Sequence, residues 1–436
     1  MEKTKDREHD SRRAFIVKAA FACTGLPFLG RAMAFPSHSQ KPLKGNNMKT
    51  ENLKTSIIGG YGQWAGGLSD NPPNLSFRNE TWEHVEPWKK TASEKARELV
   101  AAPKITRDSA VNVVKKYTYD GLEVEELSWQ LSNGGRPTQA ILLKPQGAKG
   151  KLPAILALHD HGGNKYFGKR KITKVSDEMH PMMEAHQKLY YSGRAWANDI
   201  AKKGYVVLVH DTFTFGSRRV QYQDIAGIPW GDCSVEGKTD QNPEELANIQ
   251  VYNRWAAYHE HIMSKSLFCA GTTWPGVTLA EDRAALDVLI ERPDVDTGNI
   301  GCGGLSGGGL RTDYLAGLDP RIKCAVSVGF MSTWKDFVEN KSYTHTWMTF
   351  TPLLPQYLDF PEILGLRVPL ATLVQSNNED NLYTHAEMKK ADGILREVYA
   401  KAGAADNYRG KFYDGDHKFD SKMQADAFDW FDSWLK

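Results

Sequence analysis

The sequence predicts an α/β protein whose mostly parallel sheet is flanked by helices. Continuously apolar runs recur at 154–158, 205–209, 300–303, 324–328 and 368–374. A strand that is apolar on both faces is typical of a buried parallel sheet. Between these runs, apolar residues follow a helical spacing, as at 285–290. Strands that alternate with helices in this way indicate an open α/β sheet.

Elements at both ends complete the predicted sheet. Strand-like segments cover 111–119, 122–131 and 138–143, with a turn at 133–135 between the last two, and they predict a leading antiparallel part. Near the C-terminus, a short strand at 411–413 precedes an amphipathic helix. The apolar positions of that helix are Met423, Ala427, Phe428, Phe431, Trp434 and Leu435.

An extension precedes the main domain, which we place at 110–436. Residues 35–109 are rich in Pro, Gly, Asn and Ser. They contain one predicted helix, at 91–101, which Thr91 and Glu94 would cap. Tryptophans at three positions are expected to pin the extension onto the main domain: Trp64, Trp82 and Trp88.

Two long insertions interrupt the predicted sheet, at about 213–280 and 331–366. Insertions of this length in a compact domain usually build a substrate pocket or its cap. We therefore expect both to lie near the site.

The N-terminus has the features of an export signal. Arg12 and Arg13 are followed by Phe15, a weakly apolar stretch and Ala32-Met33-Ala34. This order resembles a twin-arginine signal peptide with cleavage after Ala34. A basic helix cap, or a lipoprotein signal through Cys23, fits fewer of these features. Removal of residues 1–34 takes away seven basic and four acidic residues, so the formal net charge of +2 becomes −1.

Composition excludes some partners. The 55 Lys and Arg residues nearly balance the 53 acidic ones, so no electrostatic case exists for nucleic acid or for a polybasic membrane contact. No apolar run reaches the length of a membrane span. Cys302 and Cys324 lie in apolar runs and are expected to be buried, whereas a disulfide between Cys233 and Cys269 remains open.

The strongest chemical signal is the segment Gly304-Leu305-Ser306-Gly307-Gly308, which directly follows a predicted strand. A serine hydroxyl is a weak nucleophile unless it is held exposed beside a base, and a tight strand-turn-helix elbow holds it in that way. The alternative is a phosphate-binding glycine loop. It lacks both the Walker lysine and a fitting G-x-G-x-x-G pattern. The sequence therefore predicts Ser306 as a nucleophile.

The elbow also predicts its partners, because the chain order is serine, acid, histidine. His417 lies in a polar loop between the last strand and the last helix, where a general base is needed. The acid should follow the strand at 368–374. Asp380 is the predicted acid, and Glu379 is its competitor.

Backbone N–H groups are predicted to bind the oxyanion. One donor is that of Gly307, and the second comes from the loop at 159–164, where Gly162 and Gly163 are the candidates. The alternative is a metal bound by His159 and His161. Metallo-hydrolases of this pattern continue with a further Asp-His pair, which is absent here. We therefore expect no metal and no cofactor.

Residues 110–436 resemble the α/β-hydrolase superfamily. The elbow and the segments at 282–287, 292–296 and 318–322 resemble its dienelactone-hydrolase-like and acetyl-xylan-esterase-like bacterial members. The resemblance implies a triad of Ser306, Asp380 and His417 on an eight-stranded sheet. The chain departs from true dienelactone hydrolases in having serine rather than cysteine. It also lacks the arginine and lysine that follow the nucleophile in glucuronoyl esterases.

These observations predict a secreted, periplasmic or extracellular serine esterase that acts on a small-molecule or saccharide ester. The twin-arginine export machinery would be the partner of its precursor. A prolyl-oligopeptidase-type peptidase is an alternative, although 35–109 is too short for a propeller. A non-catalytic binding protein is another. Tryptophans in or near the insertions could stack on sugars, although burial is the simpler expectation. They are Trp196, Trp230, Trp255, Trp274, Trp334 and Trp347.

Overall fold

The computed structural model describes residues 56–228 and 231–436. The twin-arginine pair, the cleavage site after Ala34 and Trp230 lie outside the described residues. Within them, no helix is both long and apolar enough to cross a membrane.

A nine-stranded sheet forms the centre of the described chain, with the strand order β1-β2-β3-β5-β4-β6-β7-β8-β9. Strands β1 to β3 pair antiparallel with one another, β3 pairs antiparallel with β5, and all other pairs are parallel. The strands are β1 Asn112–Tyr119, β2 Leu122–Trp129, β3 Thr138–Pro145, β4 Leu152–Ala157, β5 Val206–His210, β6 Val295–Leu305, β7 Cys324–Val328, β8 Ala371–Asn377 and β9 Tyr408–Tyr413. The predicted mostly parallel sheet is confirmed, with one strand more than the resemblance implies.

Helices cover both faces of the sheet. They are α1 Gly62–Gly66, α2 Val85–Val100, α3 Pro181–Tyr190, α4 Trp196–Lys202, α5 Leu246–Cys269, α6 Trp274–Ile290, α7 Gly307–Leu318, α8 Trp334–Asp336, α9 Phe360–Gly365, α10 His385–Lys401 and α11 Ser421–Leu435. Leu156 and Leu208 face a core that includes α2, α6, α7, α9 and α10. Ile155 and Val207 face a second core, which includes α4 and α11. Successive residues of one strand thus enter opposite cores, as a doubly covered sheet requires.

The helix of the extension differs from its prediction. It begins at Val85, not at Thr91, and its N-cap is His84. Pro87 is tolerated in the first turn, where a missing N–H costs nothing. The Thr91 hydroxyl instead donates to the Pro87 carbonyl oxygen inside the helix. Thr91 therefore does not cap the helix.

Burial corrects several aromatic predictions. Trp88 is fully buried and packs α2 against the domain, whereas Trp64 is 66% exposed. In α11, Trp434 is 39% exposed, and Trp430 is the tryptophan that packs inward. The strand predicted at 368–374 begins at Ala371, after Pro369.

The first insertion builds a small third core. Tyr222, Ile249 and Trp255 of the insertion pack with Phe167 and Met183, which follow β4. Helix α5 is thereby held close to the loop after β4. Cys233 is buried and Cys269 is exposed, and no disulfide joins these two residues. Cys302 and Cys324 are buried, as predicted.

Candidate active site

Ser306 lies at a sharp turn between β6 and α7. Its φ of 57° and ψ of −118° are unfavourable for a residue with a Cβ. The turn is possible because Gly304 and Gly308 are small. A Cβ on either would lie 2.1 or 2.2 Å from the carbonyl oxygen of Leu158. The elbow geometry is therefore the one that the glycines predict.

His417 and Asp380 are joined directly. The distance from His417 Nδ1 to Asp380 Oδ2 is 2.6 Å. Asp380 is 3% exposed, and its other oxygen accepts the N–H of Leu382. Glu379 is exposed and instead accepts the N–H of Gly415. The structure thus brings Asp380, and not Glu379, to His417.

Strand β7 brings the histidine ring beside the elbow. The N–H of Ser306 donates to the carbonyl oxygen of Val328 over 2.8 Å. The next residue, Gly329, touches the ring of His417, since a Cβ there would lie 2.9 Å from Cε1. His417 Nε2 is buried and makes no hydrogen bond within the described chain. With Nδ1 donating to Asp380, Nε2 is the nitrogen that can accept a proton.

The loop after β4 approaches the elbow through the amide of His161. A Cβ on Gly307 would lie 2.9 Å from His161 N. Neither N–H, of His161 or of Gly307, donates to a backbone carbonyl in the described chain. Two adjacent and unused amide donors are what an oxyanion requires.

Lys171 sets the direction of the His161 amide. Its buried ammonium donates to the carbonyl oxygens of Asp160, at 2.7 Å, and His161, at 2.8 Å. In a trans peptide the C=O and N–H point in opposite directions. The His161 N–H therefore points away from Lys171. A cation on the carbonyl also polarises the peptide and strengthens its N–H as a donor.

Gly162 and Gly163, the two glycines predicted as oxyanion donors, have different roles in the loop. The Gly163 N–H already donates to His161 Nδ1 over 3.0 Å, which corrects its prediction as a free donor. Gly162 has φ +51°, and a Cβ there would lie 2.4 Å from Asp160 Oδ2. Glycine is needed at 162 because the turn folds tightly over the Asp160 carboxylate.

The ring of His161 is hydrogen-bonded to Glu260, which belongs to helix α5 of the first insertion. Nδ1 accepts the Gly163 N–H, so Nε2 carries the proton and donates to Glu260 Oε1 over 2.9 Å. The same oxygen lies 2.9 Å from Lys165 Nζ. Burial lowers the pKa of His161, despite the opposing effect of Glu260. The ring is thereby kept neutral.

Two buried side chains of opposite charge, Asp160 and Lys171, lie behind the loop after β4. Burial alone would raise the pKa of Asp160, but His186 and Lys171, with a hydrogen bond from Tyr191, hold it well below its usual range. Burial lowers the pKa of Lys171 to about 8, against the attraction of Asp160 and Asp211. Both groups are ionised at neutral pH.

A buried ion pair anchors the helix after the nucleophile. Arg311 Nη2 of α7 lies 2.6 Å from Asp282 Oδ1 of α6. His210, at the end of β5, shares that oxygen at 2.9 Å. All three side chains are about 1% exposed. The network joins α7 to α6 and to the end of β5, and loss of one partner would leave a buried charge.

The two histidines of the metal alternative differ in their hydrogen bonds. Both ring nitrogens of His161 are used, as described above. Nδ1 of His159 lies 3.0 Å from the carbonyl oxygen of Asp160, whereas its Nε2 is buried and has no hydrogen-bond partner among the described residues. Across residues 56–228 and 231–436, no cluster of three His, Cys, Asp or Glu side chains suits a metal.

Most tryptophans of the insertions are buried. Trp347 is 37% exposed, and it is the remaining candidate for sugar stacking among those described. The buried ones are Trp196, Trp255, Trp274 and Trp334.

Sequence reasoning missed Lys171, Glu260 and Arg311. Glu260 lies 99 residues from His161 along the chain, and no local pattern connects them. Lys171 is one lysine in a basic run at 169–171, which reads as a solvated surface. Asp282 lies in a segment that carries the family resemblance, but the sequence does not indicate that it pairs with Arg311.

Comparisons with known proteins agree with this architecture. No protein-family model matches the chain. The protein named "Putative hydrolase YtaP" of Bacillus subtilis is 25% identical over 304 residues, which are 70% of this chain and 85% of that protein.

Many solved structures are similar in fold, and two esterases are among them. A "putative acetyl xylan esterase" from Bacteroides fragilis has a TM-score of 0.60, with 16% identity and 82% of each chain covered. A glucuronoyl esterase from Solibacter usitatus has a TM-score of 0.55, with 12% identity, covering 83% of this chain and 97% of that one. The chain has the α/β-hydrolase fold. The predicted fold class is thus confirmed.

Proposed function

We propose that the chain is an exported serine hydrolase that cleaves carboxylic esters, with acyl esters of carbohydrates as its substrates. One observation carries the proposal. A buried carboxylate, Asp380, holds Nδ1 of His417 at 2.6 Å, and the ring lies against the strand end that also binds the backbone of Ser306. This arrangement supports Ser306 as the nucleophile and His417 as its general base.

In the proposed mechanism, Ser306 Oγ attacks the ester carbonyl carbon while His417 Nε2 takes its proton. Asp380 stabilises the imidazolium that forms. The collapse of the tetrahedral intermediate breaks the bond to the alcohol, which receives the proton from His417. Water then enters by the same steps and releases the acid from the acyl-enzyme.

We assign the oxyanion donors to the N–H groups of Gly307 and His161. The role of second donor passes from Gly163 to His161, because the Gly163 N–H is already used. Lys171 is proposed to position this donor. Gly162, whose positive φ allows the tight turn, stays a predicted donor as well.

The substrate class rests on the site and on the names of similar proteins. Ester cleavage expels an alcohol oxygen, which is a better leaving group than an amide nitrogen, so a triad with two oxyanion donors suffices. Both structural relatives are named as esterases, one of acetyl xylan and one of glucuronoyl groups. We therefore expect short acyl esters on a sugar.

The deciding experiment compares substrates in parallel. Purified protein is given p-nitrophenyl acetate, acetylated xylo-oligosaccharide and Xaa-Pro p-nitroanilide, each with and without EDTA. We expect the esters to be cleaved, with the same rate in chelator. Faster anilide cleavage would favour the peptidase, and loss of activity in chelator would favour the metal alternative.

A second experiment separates an enzyme from a binding protein. A fluorophosphonate probe should label wild-type protein and leave Ser306→Ala unlabelled. If wild-type protein is not labelled, the non-catalytic alternative becomes the better one.

Export is tested by replacing Arg12 and Arg13 with lysine together. We expect the wild-type precursor to be cleaved after Ala34 by way of the twin-arginine machinery, and the variant to stay in the cytoplasm. Mature protein outside the cytoplasm from the double variant would contradict this assignment.

A further inference from the structure

A cavity lies on the same edge of the sheet as Ser306. Its volume is about 390 Å³, and its wall includes Tyr166 and Lys169 from the loop after β4 and Asp211 and Arg219 from the segment after β5. None of Ser306, His417 and Asp380 lines it. A volume of this size suits a small organic ligand.

The cavity lies close to the elbow without being part of it. Asp211 directly follows β5, Ser306 directly follows β6, and β4 lies between these strands. Two strand spacings amount to about 10 Å. A ligand that extends over a few sugar units could therefore reach both places.

The lining is rich in positive charge, most of which is already neutralised. Four cationic side chains line the cavity: Arg136, Lys169, Arg170 and Arg219. Three of them form ion pairs, with Asp224 at 2.8 Å, Asp211 at 2.9 Å and Glu244 at 2.6 Å, respectively. Arg219 forms no ion pair with any carboxylate of the described residues.

The guanidinium of Arg219 is nevertheless held in place. Its carbon lies 4.3 Å from the centre of the Tyr166 ring and 5.9 Å from that of Tyr252. Nη1 donates to the carbonyl oxygen of Gly216 over 2.9 Å, and this is its single hydrogen bond within the described chain. A guanidinium has five N–H donors. An oriented cation with unused donors matches a planar carboxylate.

The rest of the wall offers neutral polar groups. Gln139, Ser217 and Gln221 line the cavity. Their side-chain oxygens already accept hydrogen bonds, from Lys169 Nζ, the Gln139 N–H and Gln223 Nε2, respectively. Their amide N–H and hydroxyl O–H groups can donate to the hydroxyl oxygens of a sugar ring. The lining thus combines one site for a carboxylate with several for hydroxyls.

We propose that this cavity binds an acidic saccharide, with the sugar carboxylate on Arg219 and ring hydroxyls on the neighbouring amides and hydroxyl. The identification of the ligand as a saccharide rests on the proposed function, whereas the anion site rests on the cavity alone. The cavity would select acidic polysaccharide chains, while ester cleavage takes place at Ser306.

The test is equilibrium binding to Ser306→Ala protein, so that hydrolysis does not affect the result. Titration calorimetry is run with digalacturonate, with neutral xylobiose and with inorganic phosphate. We expect digalacturonate to bind at least about tenfold more tightly than the other two. Equal binding of phosphate would overturn the sugar assignment, and absence of digalacturonate binding would overturn the proposal.

Arg219→Met, added to Ser306→Ala, should weaken digalacturonate binding at least about tenfold. Arg409→Met is the matched control, since Arg409 also stacks on a ring, that of Trp430 at 5.0 Å, away from this cavity. Arg219→Lys keeps the charge if the Met variant fails to fold, and should bind with intermediate affinity. Unchanged binding in both Arg219 variants would refute the site.

Loss of saccharide binding and loss of ester cleavage are distinguishable results. If wild-type protein cleaves esters but binds no digalacturonate, the proposed esterase activity stands and the proposed saccharide site is wrong. If the protein binds digalacturonate through Arg219 but cleaves no ester, the anion site stands and the proposed esterase activity is wrong.

Discussion

The ammonium of Lys171 lies 2.7 Å from the carbonyl oxygen of Asp160. That contact orients the peptide whose nitrogen, on His161, lies beside Gly307. The side chain is completely buried, so the direction of an amide donor depends on a charge that solvent does not reach. This relationship leads to the first prediction.

Lys171→Met should lower kcat by about 10- to 100-fold with little change in KM. The reason is that a misdirected oxyanion donor costs transition-state stabilisation more than substrate binding. Steady-state kinetics on p-nitrophenyl acetate measures both constants. Lys188→Met is the control, because it makes the same change on an exposed face of α3. A rise in KM alone would show that Lys171 acts on binding.

Ser306→Ala and His417→Ala should each reduce turnover by about 10⁴-fold or more. The double variant should be no slower than either single one, because the two residues act as a unit. Turnover is measured with active-site-titrated wild-type protein as the reference. Losses that multiply in the double variant would mean that the residues act independently.

Asp380→Asn should reduce kcat far more than Glu379→Gln. Asp380 is buried against His417 Nδ1, whereas Glu379 is exposed and bonds to a backbone amide. The amide variant at 380 favours the wrong imidazole tautomer and costs about 10⁴-fold in comparable triads. The two variants differ in position by one residue and serve as controls for each other. The reverse order of effects would assign the acid to Glu379.

Glu260→Gln should flatten the dependence of stability on pH in acid. Burial alone would raise the pKa of Glu260, but Lys165 and His161 lower it from 4.5 to about 2. A carboxyl group with a lowered pKa stabilises the fold fully above its unfolded pKa. This contribution is lost as the pH falls from about 4.5 through about 2.

Urea unfolding at several pH values between 2 and 7 checks this prediction. At pH 7 the variant should lose about 3 kcal/mol, because Lys165 is left buried without its counter-charge. Glu98→Gln is the control, since Glu98 is 62% exposed in its pair with Lys95, and surface pairs contribute little. A wild-type steepness below pH 4.5 in the Glu260 variant would contradict the assigned coupling.

The sequence by itself determined the α/β sheet, the elbow at Ser306 and the candidates His417 and Asp380. These follow from local patterns, since apolar runs define buried strands and the carboxyl ends of parallel strands meet at one edge. The acid could be narrowed to Asp380 or Glu379 because both follow the same strand. The tertiary structure decides that Asp380, and not Glu379, contacts His417.

The tertiary structure alone decided the support of the oxyanion loop and the burial of the aromatic residues. Glu260 meets His161 across 99 residues, because a separate small core holds the inserted helix α5 over the loop after β4. Trp274 is fully buried and Trp64 is 66% exposed, although the residue type is the same at both positions. Contacts of this kind depend on how distant segments pack, and a local pattern carries no information about that.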